Sequence, residues 1–188
     1  MISNSNKCPW ALKSKIEENY HDTEWGRPLH DEQRLFEMLI LEGQQAGLSW
    51  LTILNRRQGM KEAYHNFDPK ELVDLSDDQI EGYLQDDRVI KNRLKIKSVI
   101  TNAKAYLNLV TIYGSLDNFL WSYVEFQPIQ NEWKTITDVP AKTKLSTIIS
   151  HDLKTLGFKF VGPTIIYAYM QSIGMVNDHL ITCPSYQL

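Results

Sequence analysis

Two cysteine and two histidine side chains near the chain ends have the spacing of metal ligands. Cys8 and His21 are separated by twelve residues, and His179 and Cys183 form an H-x-x-x-C pattern that fits one helical face or one turn. Two thiolates and two imidazoles complete the tetrahedral coordination of zinc and leave no vacant position. Such a site would be structural, and it would join the two ends of the chain.

The spacing alone leaves other interpretations of these cysteines open. A lone cysteine in a cytoplasmic protein is more often a small buried apolar residue than a ligand. A disulfide between Cys8 and Cys183 is disfavoured where thiols stay reduced. The remaining histidines have no neighbouring cysteine, and we expect them at the surface or at helix ends: His30, His65 and His151.

The segment LGFKFVGPT at 156–164 has the composition of a very short turn between two helices. Glycine permits a tight turn and a close approach of the backbone to another molecule. Pro163 suits the first position of the next helix, whose free N–H groups would suit a phosphate. We therefore predict a helix-hairpin-helix motif, with its hairpin at about 157–162, that contacts DNA backbone without reading sequence. A packing corner without a ligand is the alternative.

A run of basic residues between 88 and 104 contains no acidic residue. Its members are Arg88, Lys91, Arg93, Lys95, Lys97 and Lys104. Such a run is either a phosphate-binding surface or the solvated face of a helix, and both interpretations stay open at this point.

The composition is that of a folded globular domain. The chain has 188 residues, 43% of them hydrophobic, and a formal net charge of −3. These values suit one domain, or one domain in two small lobes, and exclude a disordered chain or a strongly basic coat protein of nucleic acid. No apolar run reaches the length of a membrane helix, and the first residues lack a signal-peptide core. We expect a cytoplasmic protein without a membrane partner.

The secondary structure is predicted to be all-α, with many short helices and no strand. Helix-start signals occur at Asp31, at Asp68-Pro69 and in a capping box at Ser76. An apolar stripe with a period of about 3.6 residues predicts a helix from about Lys91 to Val110. Further helices are expected at about 115–124, 143–156 and 163–172.

Several strings of the sequence are typical of one family when they are taken together. They are CPW at 8–10, YHDTEWG at 20–26, LEGQQAGLSW at 41–50, FDP at 67–69, IKNRLKI at 90–96, GFKFVGPT at 157–164 and VNDH at 176–179. Over essentially its whole length the chain resembles the bacterial 3-methyladenine DNA glycosylase I family of the helix-hairpin-helix superfamily. The resemblance implies a DNA-repair hydrolase that excises 3-methyladenine from alkylated double-stranded DNA, releases the free base and leaves an abasic site.

The resemblance also implies site residues, because the family's positions carry matching residue types here. Its structural zinc, one per chain, implies four ligands: Cys8, His21, His179 and Cys183. Its base pocket implies Glu42 as the catalytic, base-binding acid. The implied aromatic walls of that pocket are Trp10, Tyr20 and Trp50. Trp25 follows the His ligand, and we interpret it as packing that supports the pocket.

One feature of the wider superfamily is missing. Asn177 stands where most of its glycosylases carry a catalytic Asp, and this family as a whole resembles the chain in that respect. We assign no catalytic role to Asn177 or Asp178, and interpret Asp178 as a partner of the neighbouring zinc His or as a helix cap. An N3-alkylated adenine is cationic and already an activated leaving group, so stacked aromatic faces and one carboxylate would suffice.

Five residues are predicted to contact DNA. Leu48 lies beside Gly47 in a loop, and we expect it to enter the base stack as an apolar wedge, with a core position as the alternative. Basic side chains and the hairpin are expected to contact backbone phosphates: Lys91, Arg93, Lys159 and Gly162.

Two other functions are alternatives to the glycosylase. A lesion-binding protein without catalysis would be consistent with the missing Asp. A zinc hydrolase would need an open coordination position, which four matched ligands argue against. No Lys occupies the superfamily's Schiff-base position, so strand cleavage is not expected. We further expect a single domain over 1–188, a monomer, and a bacterial cytoplasmic location on the nucleoid.

Overall fold

The computed structural model describes residues 6–187, apart from the side chain of Asp77. The described chain is mostly helical, which confirms the predicted class. Its α-helices are α1 (Lys15–Thr23), α2 (Glu32–Gln44), α3 (Trp50–Ala63), α4 (Pro69–Leu72), α5 (Asp77–Gln85), α6 (Arg93–Tyr113), α7 (Leu116–Trp121), α8 (Lys144–Thr155) and α9 (Pro163–Ser172). Short 3-10 helices cover Pro9–Lys13, His65–Phe67, Ser122–Val124, Ile136–Asp138 and Pro184–Gln187.

The predicted helix starts are formed by the expected side chains. The Asp31 carboxylate accepts a hydrogen bond of 2.9 Å from the N–H of Arg34 at the start of α2. Ser76 and Gln79 form both bonds of a capping box at the start of α5. These bonds satisfy N–H groups that have no partner within the helix, which is why the local sequence sets these boundaries.

One pair of strands was not predicted. Ile129–Gln130 (β1) and Val176–Asn177 (β2) pair in parallel, with Ile129 opposite Val176. Strands of two residues are too short to show an alternating pattern. The expectation of no strand was therefore wrong at these residues, because the pairing depends on segments that are distant in sequence.

The core is built around α2, whose residues 35–44 are all buried. A helix that is enclosed on every side carries apolar residues around its whole circumference, as LFEMLIL at 35–41 does. Helices α3, α6, α7 and α9 pack against α2. The end of α2 therefore lies deep in the molecule, where a charged side chain has little access to water.

Helices α8 and α9 pack against each other and are joined by the predicted hairpin at 157–162. Gly157 has a φ of +99° and Phe160 a φ of +55°, so the chain reverses through left-handed backbone conformations. The Ser150 hydroxyl donates a hydrogen bond of 2.6 Å to the carbonyl of Val161, which fixes the hairpin to α8. In the described part of the chain, no helix has the length and apolarity needed to span a bilayer.

Candidate functional site

The four predicted metal ligands meet in one buried cluster. One donor atom from each of Cys8, His21, His179 and Cys183 lies within 4.8 Å of the others. The Cys183 Sγ is 3.5 Å from His21 Nε2 and 3.7 Å from His179 Nδ1. Bond lengths of about 2.3 Å to sulfur and about 2.0 Å to nitrogen imply about 3.6 Å between such atoms around tetrahedral zinc. The spacing of the cluster therefore fits that ion.

Hydrogen bonds on the far side of each imidazole aim the correct nitrogen at the thiols. His21 Nδ1 lies 2.8 Å from the Asp22 carboxylate, and His179 Nε2 lies 3.2 Å from the carbonyl of Trp25. An acceptor on one ring nitrogen holds its proton there and leaves the other nitrogen free to ligate. Lys7 Nζ, 2.6 Å from Asp22, fixes that carboxylate in turn.

The thiols supply a charge that a metal cation would balance. The hydrogen bond between the two thiols lowers the pKa of Cys183 and raises that of Cys8. One thiolate thus opposes the formation of the second in this buried space, and a divalent cation would remove that opposition. Both cysteines are free, so the disulfide alternative is not formed.

Local backbone turns bring the ligands together. The N–H of Cys183 donates 2.7 Å to the carbonyl of Leu180, so His179 and Cys183 share a turn and not a helical face. Gly26 has a φ of +74°, and a Cβ at this position would lie 2.8 Å from His179 Nε2. Glycine is therefore required where the chain after α1 passes over the imidazole.

Glu42 lies near the end of α2 and its side chain is buried, with 4% of the residue exposed. Burial raises the pKa of this carboxyl group to about 8, and a hydrogen bond from Ser172 on α9 opposes the shift. Burial disfavours the charged form because the interior solvates it poorly. A cation placed beside Glu42 would favour the carboxylate.

The predicted aromatic walls form a continuous group that joins the metal cluster to this region. The ring centroids of Trp10 and Tyr20 are 6.4 Å apart, and those of Tyr20 and Trp50 are 5.4 Å apart. Trp10 also contacts His21 and Trp25 edge-on, at 5.4 Å and 5.0 Å. Helix α1 therefore presents a ligand and a wall residue side by side, His21 and Tyr20. Trp25 packs where it was expected, against Trp10 and the imidazoles.

Two polar atoms of the aromatic walls are buried without a hydrogen-bond partner. They are the hydroxyl of Tyr20 and the indole Nε1 of Trp50. The charge of Glu42 contributes to the raised pKa of Tyr20, so the two side chains are neighbours. Unpaired buried polar groups are costly, and a bound ligand with complementary atoms would satisfy them.

The two largest cavities border Tyr20 from outside this group. One, of about 460 Å³, also reaches Arg34, Glu37 and Arg57. The other, of about 220 Å³, also reaches Met38 and Ser172. Glu42 lines neither of them, so the aromatic walls close tightly over the carboxyl group.

Leu48 is 39% exposed in the loop between α2 and α3, which is inconsistent with a core position. The basic run is less free than the sequence suggests. Lys91 lies 2.6 Å from Asp87, Arg93 is paired with Glu81, and Lys95 is buried. Acidic partners just outside the run neutralise much of it, and the sequence contains the signal in Asp86-Asp87. Lys159 is exposed, and Gly162 precedes α9 as its N-cap.

Asp178 has a different role from either of the two expected for it. Its carboxylate accepts four hydrogen bonds of 2.6–2.7 Å, from Asn131, Trp133, Tyr167 and Gln171. The expected His179 contact is made by the Trp25 carbonyl. Asp178 thus joins α9 to the segment after β1. The other histidines, His30, His65 and His151, are exposed as predicted.

Comparison with known proteins gives consistent results over nearly the whole chain. The model of the methyladenine glycosylase family matches residues 10–186. A DNA-3-methyladenine glycosylase of Haemophilus influenzae is 44% identical over 180 residues, which cover 96% of this chain and 97% of that protein. DNA-3-methyladenine glycosylase 1 of Escherichia coli is 42% identical and is covered to 96%, as is this chain.

Solved structures of similar proteins share the fold. A crystal structure of 3-methyladenine DNA glycosylase I superposes with a TM-score of 0.92 at 40% identity, over 95% of this chain and 98% of that one. A variant of such an enzyme in complex with 3-methyladenine gives a TM-score of 0.93 at 35% identity, over 96% and 97% of the two chains. The Staphylococcus aureus enzyme gives 0.93 at 36% identity, over 96% of each chain.

Proposed function

The chain belongs to the methyladenine glycosylase family, and from that premise we infer that it is a DNA-3-methyladenine glycosylase. It hydrolyses the N-glycosidic bond between 3-methyladenine and deoxyribose in alkylated DNA. The observation that carries the mechanism is a buried carboxyl group, Glu42, beside unpaired polar atoms of Tyr20 and Trp50. That arrangement suits a flat, cationic base with hydrogen-bonding edges.

Glu42 is the side chain that recognises the charge of the base. With a pKa of about 8, most of this group is protonated at neutral pH in the free protein. A cationic base stabilises the carboxylate, so its entry drives the proton from Glu42 to solvent. The carboxylate then accepts hydrogen bonds from the exocyclic amine of the base. A neutral adenine offers no charge in return and leaves the proton in place.

The aromatic side chains add selectivity for the same cation. The faces of Trp10, Tyr20 and Trp50 attract a positive charge, each by roughly 0.5–2 kcal/mol. An intact duplex base must also be unstacked before it enters the pocket, which costs less at a damaged site. Together these effects favour the alkylated base over the normal one.

Bond cleavage needs no protein acid, because the leaving base is already positively charged. The C–N bond breaks toward an oxocarbenium-like state, with the bonding electrons leaving on the base. Water adds to the sugar carbon and loses a proton, so an abasic site and free 3-methyladenine result. Asn177 takes no part in this step: its side-chain amide donates to Gln130 and to the carbonyl of Tyr186.

A zinc ion held by Cys8, His21, His179 and Cys183 serves the structure and not the reaction. The four ligands fill a tetrahedral shell and leave no position for water. When bound, the ion neutralises the thiolates and fixes the start of the chain to its end. The spacing of the buried ligands supports this assignment.

DNA contacts are assigned to two loops and one helix start. Leu48 is the apolar wedge, supported by its exposure between α2 and α3. The hairpin contributes the Lys159 side chain and the backbone at Gly162, where free N–H groups of α9 face outward. Lys91 and Arg93 reach phosphates by exchanging Asp87 and Glu81 for DNA, which exposed ion pairs permit at low cost.

Release of free 3-methyladenine from a methylated duplex, followed by chromatography, tests the activity and the role of Glu42. We expect the wild-type protein to release the base, and Glu42→Gln to lower kcat/KM by about a hundredfold or more, because the cation loses its counter-charge. Glu62→Gln, which changes an exposed carboxylate on α3, is the matched control and should match wild type.

Two outcomes would contradict this proposal in different ways. Duplex binding without base release by the wild-type protein would favour a lesion-binding protein. Normal release by Glu42→Gln would remove Glu42 from the mechanism while leaving the activity in place.

A further inference from the structure

Helix α6 passes beneath both loops to which DNA contacts are assigned. Near its start it meets the loop between α2 and α3, which carries Leu48. Two turns later it meets the hairpin between α8 and α9. Each meeting is made by a buried polar side chain of α6 that bonds to loop backbone.

Lys95 makes the first of these contacts. Its residue is only 5% exposed, and its Nζ donates 2.6 Å to the carbonyl of Gln44 and 2.7 Å to that of Ala46. Gln44 Nε2 returns a hydrogen bond of 3.1 Å to the carbonyl of Lys95. A buried lysine is costly unless its charge is well bonded, and here the negative end of the α2 dipole faces it. The ammonium group therefore fixes the loop two residues before Leu48.

Asn102 makes the second contact. It is 2% exposed; its Nδ2 donates 3.0 Å to the carbonyl of Lys159, and its Oδ1 accepts 2.7 Å from the N–H of Lys159. The side-chain amide thus pairs with both backbone groups of one hairpin residue, as a neighbouring strand would. The Lys159 side chain is left exposed.

The two contacts lie on one face of α6. Lys95 and Asn102 are seven residues apart, which is close to two full turns and about 10 Å along the axis. Both use backbone groups of the loops, so the loop side chains stay available for DNA. A single rigid helix thereby sets the distance between the wedge loop and the hairpin.

We propose that Lys95 and Asn102 are positioning residues, which hold Leu48 and the hairpin in register on α6 for simultaneous contact with duplex DNA. The inference rests on the proposed function, since it takes Leu48 and the hairpin as DNA contacts. Neither side chain touches the base. A shift of about 1 Å in such a constellation is enough to lower turnover by up to about a hundredfold.

A double-mutant cycle on Lys95→Met and Leu48→Ala tests the first contact. Methionine keeps the length of the side chain and removes the donor. We expect each single variant to weaken binding of a duplex with an uncleavable abasic-site analogue by about tenfold, and the double variant to be no weaker than Leu48→Ala, because Lys95 acts through Leu48. Lys97→Met removes the same charge from the exposed face of α6 and should bind as wild type does.

The same binding assay tests the second contact. We expect Asn102→Ala to weaken duplex binding by about tenfold, while Asn108→Ala, an exposed change on the same helix, has no effect. Binding of free 3-methyladenine should stay within about twofold of wild type in every one of these variants, because the base pocket is not held by these contacts. A purely structural role would lower both kinds of binding together.

The possible failures can be told apart. Normal duplex binding by Leu48→Ala would overturn the wedge assignment and the inference that depends on it. Additive losses in the double variant, or normal binding by Lys95→Met beside a weak Leu48→Ala, would overturn the positioning role of Lys95 alone. Equal loss of free-base and duplex binding in Asn102→Ala would overturn the role of Asn102. Loss of base release by the wild-type protein concerns the proposed function and not α6.

Discussion

Two buried carboxyl groups on α2 show how environment divides roles between identical residues. Glu37 accepts a hydrogen bond of 2.7 Å from Arg57, so its charge is balanced within the protein. Glu42 lies five residues later, its hydrogen bond comes from the neutral Ser172, and burial raises its pKa to about 8. A carboxyl group kept in the interior with no cation beside it is costly to stability and is available to a cationic ligand.

That cost predicts a pH-dependent gain in stability for Glu42→Gln. The pKa of Glu42 is about 8 in the folded protein and about 4.3 in the unfolded chain, so the folded state binds more protons between these values. Wild-type stability should therefore fall relative to Glu42→Gln as the pH rises from about 5 to about 8, by on the order of a few kcal/mol, and level off above. Denaturant unfolding of both proteins at several pH values measures this difference.

A constant difference in the free energy of unfolding between the two proteins across this range would show that Glu42 titrates normally. The same measurement on Glu62→Gln, whose carboxylate is exposed, should give no difference that depends on pH.

At the scale of elements, the proposed site is assembled from the ends of helices. The end of α2 supplies Glu42, the start of α3 supplies Trp50, and the hairpin packs closely on α2. A Cβ on Gly43 would lie 3.2 Å from the Cβ of Phe160, so glycine permits that close approach. Helix ends expose N–H groups and carbonyls that require partners, and here Lys95 and Asn102 of α6 provide some of them.

The hairpin predicts a specific change in the salt dependence of DNA binding. Removal of one phosphate contact by Lys159→Ala should reduce the slope of log affinity against log salt by about 0.9, because one counterion fewer is released. Lys134→Ala, an exposed change in the segment between β1 and α8, should leave the slope unchanged. Titration of a duplex at several salt concentrations measures both slopes. An unchanged slope in Lys159→Ala would remove the hairpin lysine from the DNA contact.

At the scale of the whole molecule, the two ends of the chain are joined in one place. The buried cluster connects Cys8 and α1 to His179 and Cys183, and the pairing of β1 with β2 lies beside it in sequence. Asp178 fastens the segment after β1 to α9 through four hydrogen bonds. Closing a loop of almost the whole chain removes much of the conformational freedom of the unfolded state.

Loss of the metal is therefore expected to lower global stability. We expect one zinc per chain in the purified protein by elemental analysis, and less than one in His21→Ala, with a thermal midpoint lower by at least about 5 °C. His151→Ala is the matched control, because His151 is also hydrogen-bonded to the Asp that follows it but is exposed. Zinc content equal to wild type in His21→Ala, or metal loss without a lower midpoint, would contradict a structural zinc site.

The sequence by itself determined the features that depend on neighbouring residues. Asp31, Ser76 and Pro163 set helix starts because their side chains or rings act within one turn of the backbone. Residue types at the chain ends indicated a zinc site, and the resemblance of whole strings indicated the family and its pocket. Those inferences needed only composition, spacing and order along the chain.

Tertiary structure alone decided the contacts between distant segments. It paired Ile129 with Val176, gave Asp178 four partners far along the chain, and neutralised Lys91 with Asp87. It also buried Lys95, which the sequence presents as one more basic residue of an exposed run. No local pattern encodes these outcomes, because burial and pairing depend on which surfaces the packed helices bring together, and the same side chain is a solvated charge or a buried clamp accordingly.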